Sequence, residues 1–271
     1  FINGFCHKTC EKTFFMRFKK SFGQNFLRDK HFVHRVMSSM ELNDDIVIEI
    51  GPGSGQITRH LVSKAKKLYC VEKDTNLISL LEERFASNST QFINSDILAF
   101  DLSFLKEKSV VVGNIPFNIS NRLVRYLISN REFIKEGYFT FQKEFARKLE
   151  APLHAKEYGY LSCLIQYYAD IKVIFDIPSS AFYPVPKVDA SFIRIKFFDK
   201  PQVRAKNEDF LFKLIRSVFS VRRKKIINAL SGFGNKEYIR KALGNIDIDE
   251  AARPQDLSLK DYCNIANVLS R

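Results

Sequence analysis

Ile46-Val47-Ile48-Glu49-Ile50-Gly51-Pro52-Gly53-Ser54-Gly55 decides the fold. The first five residues read as a strand, the glycines as a turn, and a helical pattern starts at Gln56. Strand, glycine turn and helix in that order are the opening of a Rossmann-like α/β unit. Glycines at such a turn let the backbone approach a ligand closely. The dinucleotide fingerprint G-x-G-x-x-G would need its third glycine at position 56, where the chain has Gln56. The loop therefore fits a Rossmann-like sheet but not its pyrophosphate-binding version.

Three more apolar runs follow, each ending in a residue with chemistry. Leu68-Tyr69-Cys70-Val71 ends in Glu72, a carboxylate that can accept both hydroxyl protons of a ribose diol. Standing alone it reads equally well as a surface glutamate. Gln91-Phe92-Ile93-Asn94-Ser95 ends in Asp96, which can accept from an exocyclic amine or cap a helix that starts at Ile97. Ser109-Val110-Val111-Val112-Gly113 reads as a buried parallel strand and runs into Asn114-Ile115-Pro116-Phe117. Open α/β sheets build their sites at the C-terminal ends of their strands. An amide oxygen, a main-chain carbonyl before proline and a flat ring suit an amino group on a planar heterocycle. The plainer reading is a strand end turned by Asn and Pro, with Phe117 in the core. A nicotinamide dehydrogenase shares the first two strand tips and has no reason for the last two.

The four tips together resemble those of S-adenosylmethionine (SAM) methyltransferases that act on amino nitrogens. Over about residues 18–269 the chain resembles the ribosomal-RNA adenine N6,N6-dimethyltransferases of the KsgA type. The match begins at Phe22-Gly23-Gln24-Asn25-Phe26-Leu27, a segment that closes over SAM in the family, so Asn25 and Leu27 become expected cofactor contacts. It continues through Gly51 and Gly53 of the glycine loop, the acids Glu72 and Asp96, and Asn114 at cofactor and target. Gln142-Lys143-Glu144, Tyr158-Gly159-Tyr160-Leu161-Ser162 and Gln166-Tyr167-Tyr168 follow in the family's order. Ser180-Ala181-Phe182-Tyr183-Pro184-Val185-Pro186-Lys187-Val188-Asp189 is a specific late signature, whose Phe182 the resemblance casts as a ring stacked on the target base. Phe219, Arg222, Arg223, Lys224, Asn228 and Leu230 match a basic helical motif. The family usually carries Leu and Tyr where this chain has Ile115 and Phe117, so a tyrosine hydroxyl has no counterpart. Asn-Ile-Pro also occurs in the related large-subunit rRNA methyltransferases of macrolide resistance. The basic motif and the proline-rich signature favour the small-subunit enzymes.

The resemblance implies a SAM-dependent enzyme that dimethylates N6 of two adjacent adenines near the 3′ end of small-subunit rRNA, within a pre-ribosomal particle. The expected catalytic set is Asn114, Ile115, Pro116, Phe117 and Phe182. The expected RNA contacts include Arg222, Arg223, Lys224 and Lys225. Two other readings stand beside it: a ribosome-assembly factor that binds RNA without catalysis, and a large-subunit adenine methyltransferase.

Composition supports a polyanion partner. The 271 residues carry 43 Lys+Arg against 30 Asp+Glu, a formal net charge of +13. Arg17, Lys19 and Lys20, then Lys64, Lys66 and Lys67, then Arg222 to Lys225 form three clusters, expected around one cleft. The five cysteines, Cys6, Cys10, Cys70, Cys163 and Cys263, include no C-x-x-C pair, a pattern of a reducing compartment and a cytoplasmic protein. Cys70 and Cys163 lie in apolar runs and read as buried thiols. No metal spacing is present, and no apolar run approaches the ~18 residues of a membrane span.

The expected architecture is an α/β, Rossmann-like SAM-dependent methyltransferase sheet with a small C-terminal helical domain. Residues 1–15 are expected to be a disordered or non-native extension, 16–198 the catalytic domain and 199–271 a helical rRNA-binding domain. Within this frame, helices are expected at 30–40 and 158–168 and strands at about 170–175 and 190–197. Loop 176–189 is stiffened by Pro178, Pro184 and Pro186. A monomer with no membrane contact is expected.

Overall fold

The computed structural model describes residues 25–270; the expectations for residues 1–24 lie outside them. The chain opens with strand β1 (Phe26–Leu27) and helix α1 (Lys30–Ser38). Asp29 caps α1 by accepting from the amides of His31 at 2.8 Å and Phe32 at 3.4 Å. Val33, Val36 and Met37 recur at helical spacing and are the buried stripe of α1. The helix ends at Ser38, two residues earlier than expected.

From there apolar runs and helices alternate: β2 (Ile46–Ile50), α2 (Thr58–Leu61), β3 (Lys67–Glu72), α3 (Thr75–Phe85), β4 (Thr90–Asn94), β5 (Ser109–Asn114), α4 (Ser120–Ser129), β6 (Ile134–Gln142) and α5 (Lys143–Glu150). Helix α6 (Tyr160–Gln166), β7 (Ala169–Ile177), the short β8 (Phe182–Tyr183) and β9 (Ala190–Phe197) complete the α/β part. The main sheet has the order β4-β3-β2-β5-β6-β9-β7. Its strands β2 to β6 pair in parallel, and β9 is antiparallel to both its neighbours. Strand order reverses between β2 and β5, whose register aligns Ile50 with Gly113. Such a switch point opens a crevice at the C-terminal ends of the two strands.

Alternation along the strands sends side chains into two buried layers. Val47, Val110, Val112 and Tyr138 pack with Val33, Val36 and Met37 of α1 on one face. Ile48, Ile50, Val111, Phe139 and Phe141 pack with Leu123, Val124 and Leu127 of α4 on the other. This second layer runs without a break into the C-terminal helices α7 (Glu208–Ser220), α8 (Ile226–Ala229), α9 (Lys236–Gly244) and α10 (Leu259–Leu269). Leu211, Leu214, Ile215 and Val218 of α7 belong to it. Tyr167 and Tyr168 both donate hydrogen bonds to the Glu208 carboxylate, at 3.1 and 2.5 Å, which fixes the start of α7 against the sheet.

Two differences from the sequence reading bear on function. The loop 176–189 contains β8, which pairs antiparallel with β1: Phe26 faces Tyr183 and Leu27 faces Phe182. Pairing partners about 155 positions apart leave no trace in local periodicity. Helix α6 is shorter than the expected 158–168, and Tyr160, its first residue, is half-buried.

Candidate active site

Four strand ends meet at the switch point. The loop after β2 turns through Gly51 and Gly53, at φ +61° and +58°, a left-handed conformation that other residues adopt only with strain. The Gly51 amide is held by the Val71 carbonyl at 2.9 Å. A Cβ on Gly53 would lie 2.5 Å from the Phe26 ring, so the absent side chain lets β1 lie directly on the loop. Glu72 ends β3 and is buried. Its carboxylate accepts from the amides of Asp74 at 2.9 Å and Gly53 at 3.3 Å, which ties the second tip to the first. Burial raises the Glu72 carboxyl above the ordinary range, partly offset by those amides. The surface-glutamate reading therefore fails.

Asp96 follows β4 and caps the short turn that starts at Ile97. One oxygen accepts from the Leu98 amide at 3.0 Å as a cap, the other from Lys73 at 2.9 Å, and the residue also lines the crevice. Partial burial pulls its carboxyl upward, but Lys73 and the amide outweigh this and hold it below the usual range.

Asn114 is the last residue of β5. Its Nδ2 donates to the Asn25 carbonyl at 2.6 Å. A carbonyl only accepts, so this contact fixes which way the amide points. Among the described residues no hydrogen bond reaches Asn114 Oδ1, which remains an acceptor at the cavity wall. Ile115 donates its amide to Thr140 at 3.1 Å, and its side chain is buried over Gly113. Phe117 is half-buried at the start of a short turn before α4. Phe182 enters from β8; only 4% exposed, it is anchored in the core and lines the same cavity.

One cavity is thus lined by Asn25, Gly51, Gly53, Glu72, Asp96, Asn114, Ile115, Pro116, Phe117 and Phe182, all expected from sequence. Leu27 is not among its lining residues. Strand alternation turns Phe26 onto the glycine loop and buries Leu27 in the core beside α1. Arg222, Arg223, Lys224 and Lys225 are exposed in the turn between α7 and α8 and do not line the cavity. The sequence reading missed Phe26, Lys73, Ile97 and Arg122, which also line it. Lys73 and Ile97 each follow a strand-tip acid, a position that could have flagged them. Arg122 had no such signal, since it comes from the first turn of α4.

The expectation of three basic clusters around one cleft is corrected for Lys64, Lys66 and Lys67. They precede or begin β3, whereas the cavity lies at its far end, beyond Glu72. A six-residue strand puts the two ends roughly 17 Å apart. Lys66 instead pairs with Glu107 at 2.7 Å. Cys70 and Cys163 are buried as expected. Among the described residues no group of three His, Cys, Asp or Glu is placed to hold a metal, and no helix is long and apolar enough to cross a membrane.

The donor set fits SAM. Bare glycine backbone and apolar Ile50, Val71 and Ile97 offer close packing, and the two acids offer acceptors for a diol and an amine. A family model for ribosomal RNA adenine dimethylases matches residues 15–271. The chain belongs to that family. A ribosomal RNA small subunit methyltransferase A of Desulforapulum autotrophicum is 37% identical over 260 residues, covering 93% of this chain and 92% of the relative. The crystal structure of a dimethyladenosine transferase from Plasmodium falciparum superposes with a TM-score of 0.79 at 25% identity, covering 89% of this chain and 95% of that one. The 23S rRNA methyltransferase ErmE shares the fold, with a TM-score of 0.70 at 24% identity over 91% of this chain and all of that one. Membership makes SAM the cofactor and the central sheet a Rossmann-like methyltransferase sheet, as the sequence implied.

Proposed function

We propose that this rRNA adenine dimethyltransferase methylates N6 of two adjacent adenines near the 3′ end of small-subunit rRNA, twice per base. In this reading it acts as a cytoplasmic monomer on a pre-ribosomal particle. Residues 16–198 bind SAM and carry the chemistry, and residues 199–271 hold the RNA through Arg222, Arg223, Lys224 and Lys225.

The observation that carries this reading is the fixed amide of Asn114. With Nδ2 committed to the Asn25 carbonyl, Oδ1 can only accept. The Ile115 carbonyl follows it in the chain and receives no hydrogen bond among the described residues. Two acceptors side by side match an amine with two N–H bonds. The N6 lone pair of adenine is delocalised into the ring and attacks poorly. Hydrogen bonds to Asn114 Oδ1 and the Ile115 carbonyl would localise that pair and aim it. Phe117 and Phe182 line the same cavity and would hold the extruded ring. Base–aromatic stacking is worth ~1–3 kcal/mol per base, enough to offset much of the unstacking cost.

Asn25, Gly51, Gly53, Glu72 and Asp96 would hold the cofactor. Bound there, SAM supplies a methyl group on a sulfonium, already activated for transfer. The chain's remaining task is alignment, which alone is worth a large share of a barrier. The accepting nitrogen gains positive charge as the bond forms, and two carbonyl-type oxygens and two aromatic faces stabilise it. Once alkylated, that nitrogen sheds its proton to solvent, so no general base is required. None of the described histidines lines the cavity.

The test is mass spectrometry of small-subunit rRNA fragments after incubation of immature subunits with protein and SAM. Two neighbouring dimethyladenines near the 3′ end are expected. Binding without methyl transfer would instead make the protein an assembly factor, and modification of large-subunit RNA alone would reassign the substrate.

A further inference from the structure

Segment 156–160, just before and at the start of α6, lies along α7 in the reverse direction. The Lys156 carbonyl accepts from Arg222 Nη2 at 3.3 Å, the Tyr158 ring meets Phe219 edge-on at 5.9 Å, and the Tyr160 ring meets Arg216 at 5.4 Å. The Tyr160 ring also receives a second guanidinium, Arg125 of α4, at 5.8 Å. Arg125 is one helical turn from Arg122, which lines the methylation cavity. Arg122, Arg125, Arg216, Arg222 and Arg223 are all exposed, and segment 156–160 touches three of them, Arg125, Arg216 and Arg222.

Two cations on one ring repel each other, and neither Arg125 nor Arg216 has a carboxylate within ion-pair distance among the described residues. A clasp between α4 and α7 would need one cation at most. Exposed guanidinium planes stacked on an aromatic are preorganised to present their N–H forks outward, the geometry that suits phosphate.

We infer that Arg125, Tyr160 and Arg216 form a phosphate-binding step that carries the RNA backbone from the methylation cavity to the basic turn at Arg222–Lys225. The inference rests on RNA being the substrate. It adds a site at the start of α6, between Arg125 of α4 and Arg216 of α7, that is separate from both the cofactor pocket and the C-terminal basic turn. The step reads charge and spacing only, so it contributes equally to any RNA sequence placed there.

The experiment is the salt dependence of binding to a small-subunit rRNA fragment, without SAM, for wild type and for Arg125→Gln with Arg216→Gln. Each phosphate contact contributes about 0.7 to 0.9 to the slope of log affinity against log salt. The double variant is expected to lose roughly 1.4 to 1.8 of that slope, on this fragment and on unrelated RNA alike. Lys64→Gln with Lys106→Gln removes the same charge from exposed sites away from the cavity and is expected to keep the wild-type slope. An unchanged slope in the arginine variant, or an equal drop in the lysine variant, overturns the inference. Should the double variant fail to fold, Arg216→Gln alone, at an exposed position, is expected to lose about half as much slope, and no loss there also overturns it. Because binding is read without methyl transfer, this outcome is independent of which adenine the enzyme modifies.

Discussion

Glu49 is the most consequential titratable group outside the proposed chemistry. It sits in β2, directly before the glycine loop, and is 2% exposed. Burial raises its pKa from an ordinary 4.5 to about 7, with the nearby Glu72 charge acting in the same direction. One pH unit of difference is worth about 1.4 kcal/mol, so ionising Glu49 costs the fold roughly 3 kcal/mol. The folded chain holds this proton more tightly than the unfolded chain between pH 4.5 and about 7. Stability must therefore fall as pH rises through that window and level off above it. Glu49→Gln keeps the shape and removes the titration. Urea unfolding of the two proteins from pH 5 to 8.5 reads the difference directly. Near pH 5 they are expected to agree within about 1 kcal/mol, and by pH 8 the variant should lead by about 3 kcal/mol. Other titrating groups are common to both proteins and cancel in the comparison. Parallel stability curves would mean that Glu49 ionises freely, and the reasoning from burial would be wrong.

Three further outcomes follow from the site. Asn114→Ala is expected to lower methyl transfer more than ten-fold, a loss of at least about 1.4 kcal/mol in the transition state, while SAM affinity by calorimetry moves only a few-fold. Undiminished turnover would remove the amide from the mechanism. Phe182→Leu keeps most of the apolar volume and loses the flat face, so kcat/KM should drop about 5- to 150-fold, in line with ~1–3 kcal/mol of stacking, with little change in thermal stability. Full activity would discard the clamp. Arg222→Glu with Arg223→Glu should weaken RNA binding and flatten its salt dependence, measured by filter binding at several ionic strengths. A wild-type slope would place the RNA on another surface.

The sheet and most of the cavity were legible because parallel strands bury both faces and end together. Four apolar runs therefore marked four tips, and Glu72, Asp96 and Asn114 stood where those runs stopped. What escaped the sequence depends on packing between distant segments. Nothing local distinguishes Phe182 as a β8 residue facing Leu27, since the pairing exists only once both segments are on the sheet. Lys64, Lys66 and Lys67 looked like part of one basic cleft because charge clusters carry no information about which end of a strand they occupy. Tyr160 is half-buried under guanidiniums from two other helices, a meeting that no local pattern in 158–168 shows. Leu27 and Phe26 are neighbours in a matched segment, and only the alternation of β1 shows that Phe26 is the one over the glycine loop.

The same short ladder gives the site its internal logic. Phe26 rests on Gly53 of the glycine loop, the neighbouring Asn25 carbonyl fixes the Asn114 amide, and Leu27 pairs with Phe182. The amides of Arg28 and Asp29 then both donate to the Ala181 carbonyl, at 2.9 and 3.2 Å, so β1 cannot shift without dragging the base of β8. Cover of the glycine loop, orientation of the acceptor amide and placement of the Phe182 ring are therefore one mechanical unit. A ring held this way needs little further ordering when a base arrives. On the proposed mechanism, polar recognition of the amine falls to Asn114 Oδ1 and the Ile115 carbonyl, so Phe117 needs to supply only a face and not a hydroxyl.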